Sequence, residues 1–141
     1  MRAVVLALLL LAAPAAADPV PGASDAVNAY RAAAGLAPAA PSEHLTVAAE
    51  MHARDMAQNG FFSHKGSNGS SSGDRARATG YRYCVVAENI AKGQRSLAEV
   101  MQGWANSPGH RANLLHPRIT EFGLVRQTGD IWVLVLGTPG C

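Results

Sequence analysis

The stretch from Trp104 to Phe122 (WANSPGHRANLLHPRITEF) constrains the fold most, because it sets where one helix must stop and where another can begin. Pro108 cannot continue a helix from Trp104, but its fixed φ angle suits the first turn of a new helix. In that new helix His110 and Asn113 are three positions apart and therefore share a face. The stretch predicts a short helix that presents an imidazole at a defined place.

The N-terminus has the three parts of a secretory signal. Arg2 is followed by an apolar run over 3–13 and by a small-residue cleavage site over 15–17. The run is shorter than the roughly 20 residues that a permanent membrane helix needs. We therefore predict a cleaved signal peptide over 1–17 and a secreted or periplasmic domain over 18–141, with a retained anchor as the alternative. We do not expect an integral membrane protein.

The charge balance excludes two classes of partner. Without residues 1–17 the chain carries 11 Lys and Arg residues against 10 Asp and Glu residues. This near balance provides no electrostatic basis for binding nucleic acid or an anionic membrane. The remaining length of about 120 residues suits one domain with a single core. We therefore expect one domain, a monomer, that binds no nucleic acid.

The chain has two cysteines, Cys84 and the terminal Cys141. In an exported protein such an even pair is typical of a disulfide, although two free thiols are the alternative. Closing a loop of this size is worth roughly 4 kcal/mol on the chain-entropy account. The bond would also hold the last residue, which otherwise frays.

The remaining patterns predict an α+β domain. Helices are expected over about 24–34, 42–58 and 74–79 and from Ser96 onward, and strands over 81–93, 123–127 and 131–137. A turn-rich connector over 36–41 and a polar loop over 65–73 separate the first elements. Because helices come first and the chain ends in a hairpin, we expect helices packed on an antiparallel sheet. The run over 131–136 is the most apolar, which favours the central strand.

Three single residues need an explanation within these elements. His52 lies on the apolar stripe of the second helix, which favours a hydrogen-bonded core histidine over a ligand. Trp104 lies on a similar stripe and is interpreted as packing. Glu88 lies among apolar residues of a predicted strand, and a buried carboxylate needs a partner. Glu88 therefore either faces water on an alternating strand or has a partner elsewhere in the chain.

Three motifs in this order resemble the CAP superfamily of secreted proteins: FFSHKG over 61–66, AENIAKG over 87–93 and W-x-x-SPGHRANLL over 104–115. That superfamily takes in cysteine-rich secretory proteins, insect venom antigens and plant pathogenesis-related proteins. The closer resemblance is to short bacterial members, often called SCP-like extracellular proteins, and it covers about 24–137. It implies a single-domain α-β-α sandwich with a cleft that holds two histidines and acidic residues. Some members bind zinc in that cleft.

The resemblance also assigns residues to the cleft. His64 matches the first histidine, Glu88 the glutamate of a Gly-Glu-Asn element, and His110 the second histidine, while Ala87 replaces the glycine of that element. A second glutamate that eukaryotic members carry is Ser107 here, so a four-residue metal cage is incomplete. The predicted cleft residues are His64, Glu88, Asn89, Ser107, His110 and Asn113. His64 and His110 are the candidate zinc ligands, with Glu88 nearby.

Three classes of function remain open. The favoured one is a secreted binding module whose cleft takes a lipid, a glycan or a partner protein. The second is a zinc-assisted hydrolase with zinc-bound water as the nucleophile. Against it, the sequence offers no second acidic residue for the cleft and no obvious general base. The third is a serine hydrolase that uses Ser63 or Ser107. A catalytic triad is recognised by its geometry, so the sequence alone does not establish one. The alternative to all three is a purely structural role, in which His64, Glu88 and His110 form a hydrogen-bonded cluster that holds loops together.

Overall fold

A computed structural model describes residues 20–141, so the predicted signal peptide lies outside the described residues. The helices are α1 (Ala23–Ala33), α2 (Glu43–Asn59), α3 (Ser72–Ala78), α4 (Leu97–Ala105) and α5 (Pro108–Leu114), and the strands are β1 (Ala40–Pro41), β2 (Tyr83–Lys92), β3 (Glu121–Gln127) and β4 (Ile131–Pro139). The elements expected from the sequence end within about two residues of these bounds, which is the usual uncertainty of an element's end. Among residues 20–141 no helix has the length and apolarity needed to cross a membrane.

The four strands form one sheet in the order β1-β3-β4-β2. As its apolar sequence predicts, β4 is central, and it pairs antiparallel with both β2 and β3. The connector over 36–41 contains β1, which pairs parallel with β3 and which the sequence analysis missed. Two residues that include a proline carry no strand periodicity, so only the pairing with β3 reveals them. The other edge of the sheet is β2.

Helices cover both faces of the sheet, which confirms the expected α-β-α sandwich. One core lies under α2 and α3 and includes Leu45 and Val133. The other core lies under α1, α4 and α5 and includes Trp104 and Trp132. Because side chains alternate along a strand, successive residues of β2 face different layers. Ile90 packs in the α2 core and the next residue, Ala91, packs in the opposite core.

Helix α2 lies directly on β3 because Gly123 has no side chain. A Cβ atom at Gly123 would lie 2.2 Å from the backbone nitrogen of Thr46, in the first turn of α2. No flexible group is there to move aside, so any other residue would push the helix off the sheet. This close approach sets the height of α2 above the sheet.

Two long-range links hold the layers and the chain end. Arg31, on the buried face of α1, donates to the carbonyl oxygens of Leu114 at 2.9 Å, His116 at 3.1 Å and Ile119 at 2.9 Å. These carbonyls lie at and just after the end of α5, so Arg31 fixes where that helix ends. The predicted disulfide is formed between Cys84 and Cys141, with 4.9 Å between the Cα atoms, and it holds the last residue beside β2.

Candidate functional site

The two predicted cleft histidines reach the edge strand β2 from opposite layers. His64 lies in the loop between α2 and α3, and His110 lies in α5. The strand runs between these two segments: Glu88 bonds to the side chain of His64, while Asn89 bonds to the backbone of His110. We call the surface between His64 and His110 beside β2 the histidine cleft.

Glu88 has a partner elsewhere in the chain, which resolves the alternatives that its sequence context left open. Its Oε1 accepts a hydrogen bond from His64 Nδ1 at 2.8 Å, and its Oε2 accepts one from an Arg75 guanidinium nitrogen at 2.7 Å. The Glu88 side chain is only 2% exposed. Because an ionised carboxylate can only accept, the hydrogen of the His64 ring must lie on Nδ1 in the neutral tautomer. The imidazole is thereby oriented with Nε2 outward, and 57% of the side chain is exposed.

Arg75 is the site residue that sequence reasoning missed. It lies in α3, is buried, and also donates to the carbonyl oxygens of His64 at 3.0 Å and Ser70 at 2.9 Å. One guanidinium therefore joins α3, the loop that carries His64, and β2. The sequence signal that could have identified Arg75 is the need of Glu88 for a partner. The helix before β2 offers two cations, Arg75 and Arg77. Seven helical residues do not show which of the two faces inward.

His52 is a hydrogen-bonded core histidine, as its position on the apolar stripe predicts, and it holds the loop that carries His64. It is fully buried in α2, and its Nε2 donates to the carbonyl oxygen of Ser63 at 2.7 Å. The distance from His52 Nε2 to Glu88 Oε1 is 3.8 Å, which is too long for a hydrogen bond. Burial lowers the pKa of His52; the Glu88 charge opposes this shift and the Arg75 charge adds to it. His52 is therefore a neutral imidazole. Its hydrogen bond positions Ser63, the residue before His64.

On the other layer, side-chain amides tie α5 to β2. Asn113 Nδ2 donates to Asn89 Oδ1 at 2.9 Å and to the carbonyl oxygen of Glu88 at 3.3 Å. Asn89 Nδ2 in turn donates to the carbonyl oxygen of His110 at 3.0 Å, and Asn89 is fully buried. The two predicted cleft asparagines therefore link α5, which carries His110 and Asn113, to Asn89 and Glu88 of β2.

Trp104 closes the free edge of β2. It is buried, as expected for a packing residue, and its Nε1 donates to the carbonyl oxygen of Ile90 at 3.2 Å. Together with the bond from Asn113 to Glu88, this bond satisfies carbonyl groups of an edge strand. Carbonyl groups that already accept hydrogen bonds are not available to pair with a strand of another chain.

His110 and Ser107 border a groove on the α4–α5 side. Burial lowers the pKa of His110, and the nearby His64 lowers it further because two imidazolium charges would repel. Ser107 precedes the first residue of α5, but its side chain makes no capping hydrogen bond. The groove has a volume of about 540 Å³ and is walled by Phe62, Trp104 and other apolar side chains.

A second hollow, of about 580 Å³, borders His64 and is lined by Lys65, Ser72 and Glu88 among others. Both volumes lie within the range of roughly 300–1,000 Å³ that is typical of small-molecule sites. The histidine cleft therefore has room for a ligand on each side: a polar hollow beside His64 and a more apolar groove beside His110.

The residues present do not fit a zinc site with three protein ligands, which is the usual number in a catalytic centre. Within residues 20–141 no three His, Cys, Asp or Glu side chains are grouped so that they could hold a metal ion. Both oxygens of Glu88 already accept hydrogen bonds, so Glu88 orients His64 in the way that outer-shell carboxylates orient ligand histidines. Zinc at His64 and His110 stays a prediction, and we derive no chemical step through it.

The fold and the cleft define a class of protein: an α-β-α sandwich with two histidines and a glutamate at an edge strand. The profile of the cysteine-rich secretory protein family, CAP, matches residues 24–135. Because the match spans most of the chain, this chain belongs to the cysteine-rich secretory protein family.

Two proteins of Bacillus subtilis (strain 168) are similar in sequence. The uncharacterized protein YkwD is 38% identical over 106 residues, which are 74% of this chain and 41% of YkwD. The uncharacterized membrane protein YlbC is 32% identical over 100 residues, which are 71% of this chain and 29% of YlbC. This chain thus spans less than half the length of either relative.

Two solved structures share the fold. An extracellular protein containing an SCP domain from Bacillus anthracis str. Ames matches with a TM-score of 0.77 and 29% identity, over 81% of this chain and 38% of that protein. An outer surface protein from Borrelia burgdorferi matches with a TM-score of 0.71 and 20% identity, over 89% of this chain and 100% of that protein. The second likeness concerns the fold alone.

Proposed function

We propose that this chain is an extracellular binding module whose ligand lies in the histidine cleft. The observation that carries the proposal is the exposed imidazole of His64, which a buried ion pair holds with Nε2 directed outward. A side chain that only linked loops would not need an exposed and oriented nitrogen. The flanking hollow and groove provide the contact surface that a ligand needs.

Two observations support an extracellular location. The disulfide between Cys84 and Cys141 is typical of an oxidising compartment. The Bacillus anthracis protein that shares the fold at 29% identity is described as extracellular. The predicted signal peptide over 1–17 is consistent with both.

The contact of the Ser63 hydroxyl favours binding over catalysis by that serine. A serine nucleophile would have to lie against Nε2 of His64, which is the nitrogen that Glu88 leaves available. The Ser63 hydroxyl oxygen instead accepts a hydrogen bond from the backbone amide of Lys65 at 3.1 Å. Ser107 lines the groove beside His110, and the fluorophosphonate test decides whether it acts as a nucleophile.

A fluorinated fragment mixture screened by NMR tests the proposed binding. We expect bound fragments to shift the amide signals of residues that line the hollow and the groove. A His64→Ala/His110→Ala variant is the matched control, and circular dichroism checks that it is folded, because the His64 change removes a hydrogen bond to the buried Glu88. Fragments that bind the variant as well as they bind the unchanged protein would overturn the proposal.

Hydrolysis of 4-nitrophenyl acetate tests the two enzymatic alternatives. A binding module should show no turnover that a chelator abolishes and zinc restores, and no labelling by a fluorophosphonate. Zinc-restored turnover that is absent from the double variant would replace the binding module with a hydrolase. A fluorophosphonate label that is lost in Ser63→Ala or Ser107→Ala would indicate a serine hydrolase instead.

A further inference from the structure

We propose that the histidine cleft binds a short extended peptide of another protein, which pairs antiparallel with the edge strand β2 at Val86. This inference rests on the proposed function and gives the chemical class of its ligand. It follows from three features of β2: the direction of its outer backbone groups, the length of edge that is open, and the position of His64 on one face of that edge.

The first feature is that Val86 directs both of its backbone groups away from the sheet. In an antiparallel pair, residues alternate between those whose N–H and C=O groups face the partner strand and those whose groups face away. The carbonyl oxygens of Glu88 and Ile90 accept hydrogen bonds from side chains outside the sheet, so these residues face away from β4. The pairing with β4 runs without a register shift from Lys92 to Val85, so Val86 faces away as well.

The second feature is that the edge of β2 is open over a short length around Val86. On one side, the Asn113 and Trp104 side chains occupy the next two outward-facing carbonyl oxygens. On the other side, a register shift between Tyr83 and Val85 interrupts the strand, and such irregularities end regular pairing along an edge. Val86 itself is half-buried, and in the described part of the chain no group beyond the sheet hydrogen-bonds to its N–H or C=O.

An open donor and an open acceptor on one strand residue fit an extended peptide. One residue of an antiparallel peptide strand offers Val86 both a C=O and an N–H group, so that two hydrogen bonds form. A parallel strand would instead need the N–H group of Glu88, a residue that is only 6% exposed. Because the open length is short, we infer a segment of about three residues rather than a strand of a second sheet.

The third feature is that His64 lies on the face to which the Val86 side chain points. Val86 packs against the core under α2 and α3, whereas Val85 packs against the opposite core. Glu88, two residues further along the strand, points to the same face as Val86 and holds His64 Nδ1 at 2.8 Å. Residues opposite each other in an antiparallel pair share a face, so the peptide residue opposite Val86 points toward His64 and the hollow beside it.

The tautomer of His64 sets the kind of side chain that this peptide residue carries. Because Glu88 keeps the ring hydrogen on Nδ1, the outward Nε2 carries a lone pair and accepts a hydrogen bond. The peptide residue opposite Val86 therefore carries a donor, such as a hydroxyl or an amide group. The residues before and after it point to the other face, where Val85 packs, and are apolar.

A titration with the blocked peptide acetyl-Val-Thr-Val-amide, followed by NMR, tests the proposal. We expect saturable shifts of the amide signals over 85–88 and of the His64 ring, with a dissociation constant in the millimolar range. The matched control is the same peptide methylated on the threonine nitrogen. It lacks the N–H group that donates to Val86 and should bind at least about fivefold more weakly. Equal binding of the two peptides, or no saturable shift with either, would overturn the proposal.

Two substitutions at one position test the edge from the protein side. Val86→Pro removes an N–H group that faces away from β4, and proline is tolerated on an edge strand in that orientation. It should abolish binding of the peptide, whereas the matched Val86→Ala variant keeps the N–H group and should bind within about threefold of the unchanged protein. Circular dichroism checks that both variants are folded, and the methylated peptide decides the question if Val86→Pro is not. Binding that survives in folded Val86→Pro would contradict the pairing.

A peptide with valine in place of threonine tests the contact with His64. Acetyl-Val-Val-Val-amide has nearly the same shape but no side-chain donor, so it should bind about two- to fivefold more weakly to the unchanged protein. This difference should disappear in His64→Ala. Equal binding of the two peptides to the unchanged protein would overturn the role given to His64.

The outcomes separate this inference from the function on which it rests. If fragments bind the cleft but the peptide does not, the peptide is wrong and the binding module stands. If neither fragments nor the peptide bind, both proposals are wrong. Self-association in sedimentation experiments that is lost in Val86→Pro would place a second copy of this chain on the edge, and the peptide would again be wrong.

Discussion

The two walls of the histidine cleft hold the same kind of side chain by different means. On the α2–α3 side, a buried ion pair between Glu88 and Arg75 orients the His64 ring itself. On the α5 side, neutral amides of Asn89 and Asn113 hold the backbone around His110, and the ring is positioned only through its helix. One wall depends on charge and the other does not.

This difference teaches what each wall contributes to the cleft. A buried ion pair loses much stability when one partner is removed, because the other charge is left without compensation. An amide network responds to the loss of a hydrogen bond but not to salt or to the charge of a ligand. We infer that the α2–α3 wall sets the electrostatics of the cleft, whereas the α5 wall sets its geometry.

A Glu88→Gln substitution should separate the two walls most strongly. It leaves the buried Arg75 without a counter-charge, and we expect a loss of about 3–5 kcal/mol in the free energy of unfolding. Glu50→Gln is the control, because Glu50 pairs with an exposed Arg54 and should cost less than about 1 kcal/mol. Urea unfolding measures both, and similar losses in the two variants would contradict a charge-dependent wall.

Asn89→Ala tests the neutral wall. It removes the donor to the His110 carbonyl and the acceptor of Asn113, so we expect a loss of about 2 kcal/mol and faster hydrogen exchange in α5. The loss should not change with salt concentration. Asn59→Ala, at the exposed end of α2, should cost less than about 0.5 kcal/mol. Unchanged exchange in α5 would show that the amides do not hold that helix.

Lowering the pH should destabilise the protein through one histidine on each wall. Burial lowers the pKa of His52 and of His110, so the unfolded chain takes up protons on these residues before the folded chain does. The stability that these two neutral histidines contribute is therefore fully present above their unfolded pKa of about 6.5 and is lost as the pH falls below it. His52→Gln and His110→Gln should each reduce this fall in Tm. A Tm that stays constant as the pH falls from neutral into the acid range would contradict this account.

The smallest expected effect concerns the caps of the short helices on the two walls. Ser71 and Asp74 form a capping box at the start of α3, so Ser71→Ala should cost about 1 kcal/mol. Ser107 makes no side-chain capping bond at α5, so Ser107→Ala should stay within about 0.5 kcal/mol. Thermal unfolding of both variants measures the difference. Equal losses would indicate that Ser107 caps α5 in solution.

The elements of the fold could be predicted from local patterns because each has a local cause. The apolar stripe of α2 and the proline that opens α5 are visible in the sequence. The structure places α2 within one residue of its expected bounds and begins α5 at Pro108. The strand β1 was missed because its two residues owe their conformation to β3. In the cleft, the resemblance of three motifs pointed to His64, Glu88 and His110. The bond between Asn113 of α5 and Asn89 depends on which layer each residue of β2 faces.

The sequence by itself determined the layered fold class, the paired cysteines and the fact that a carboxylate at position 88 needed a partner. Only the tertiary structure decided that the partner is Arg75, that Arg31 caps the end of α5, and that the two histidines lie on opposite sides of the edge strand β2. The physical reason is that periodicity and capping act over a few residues and are written in neighbouring positions. The compensation of a buried charge is a contact between segments, and the chain shows that it is required without showing which segment supplies it.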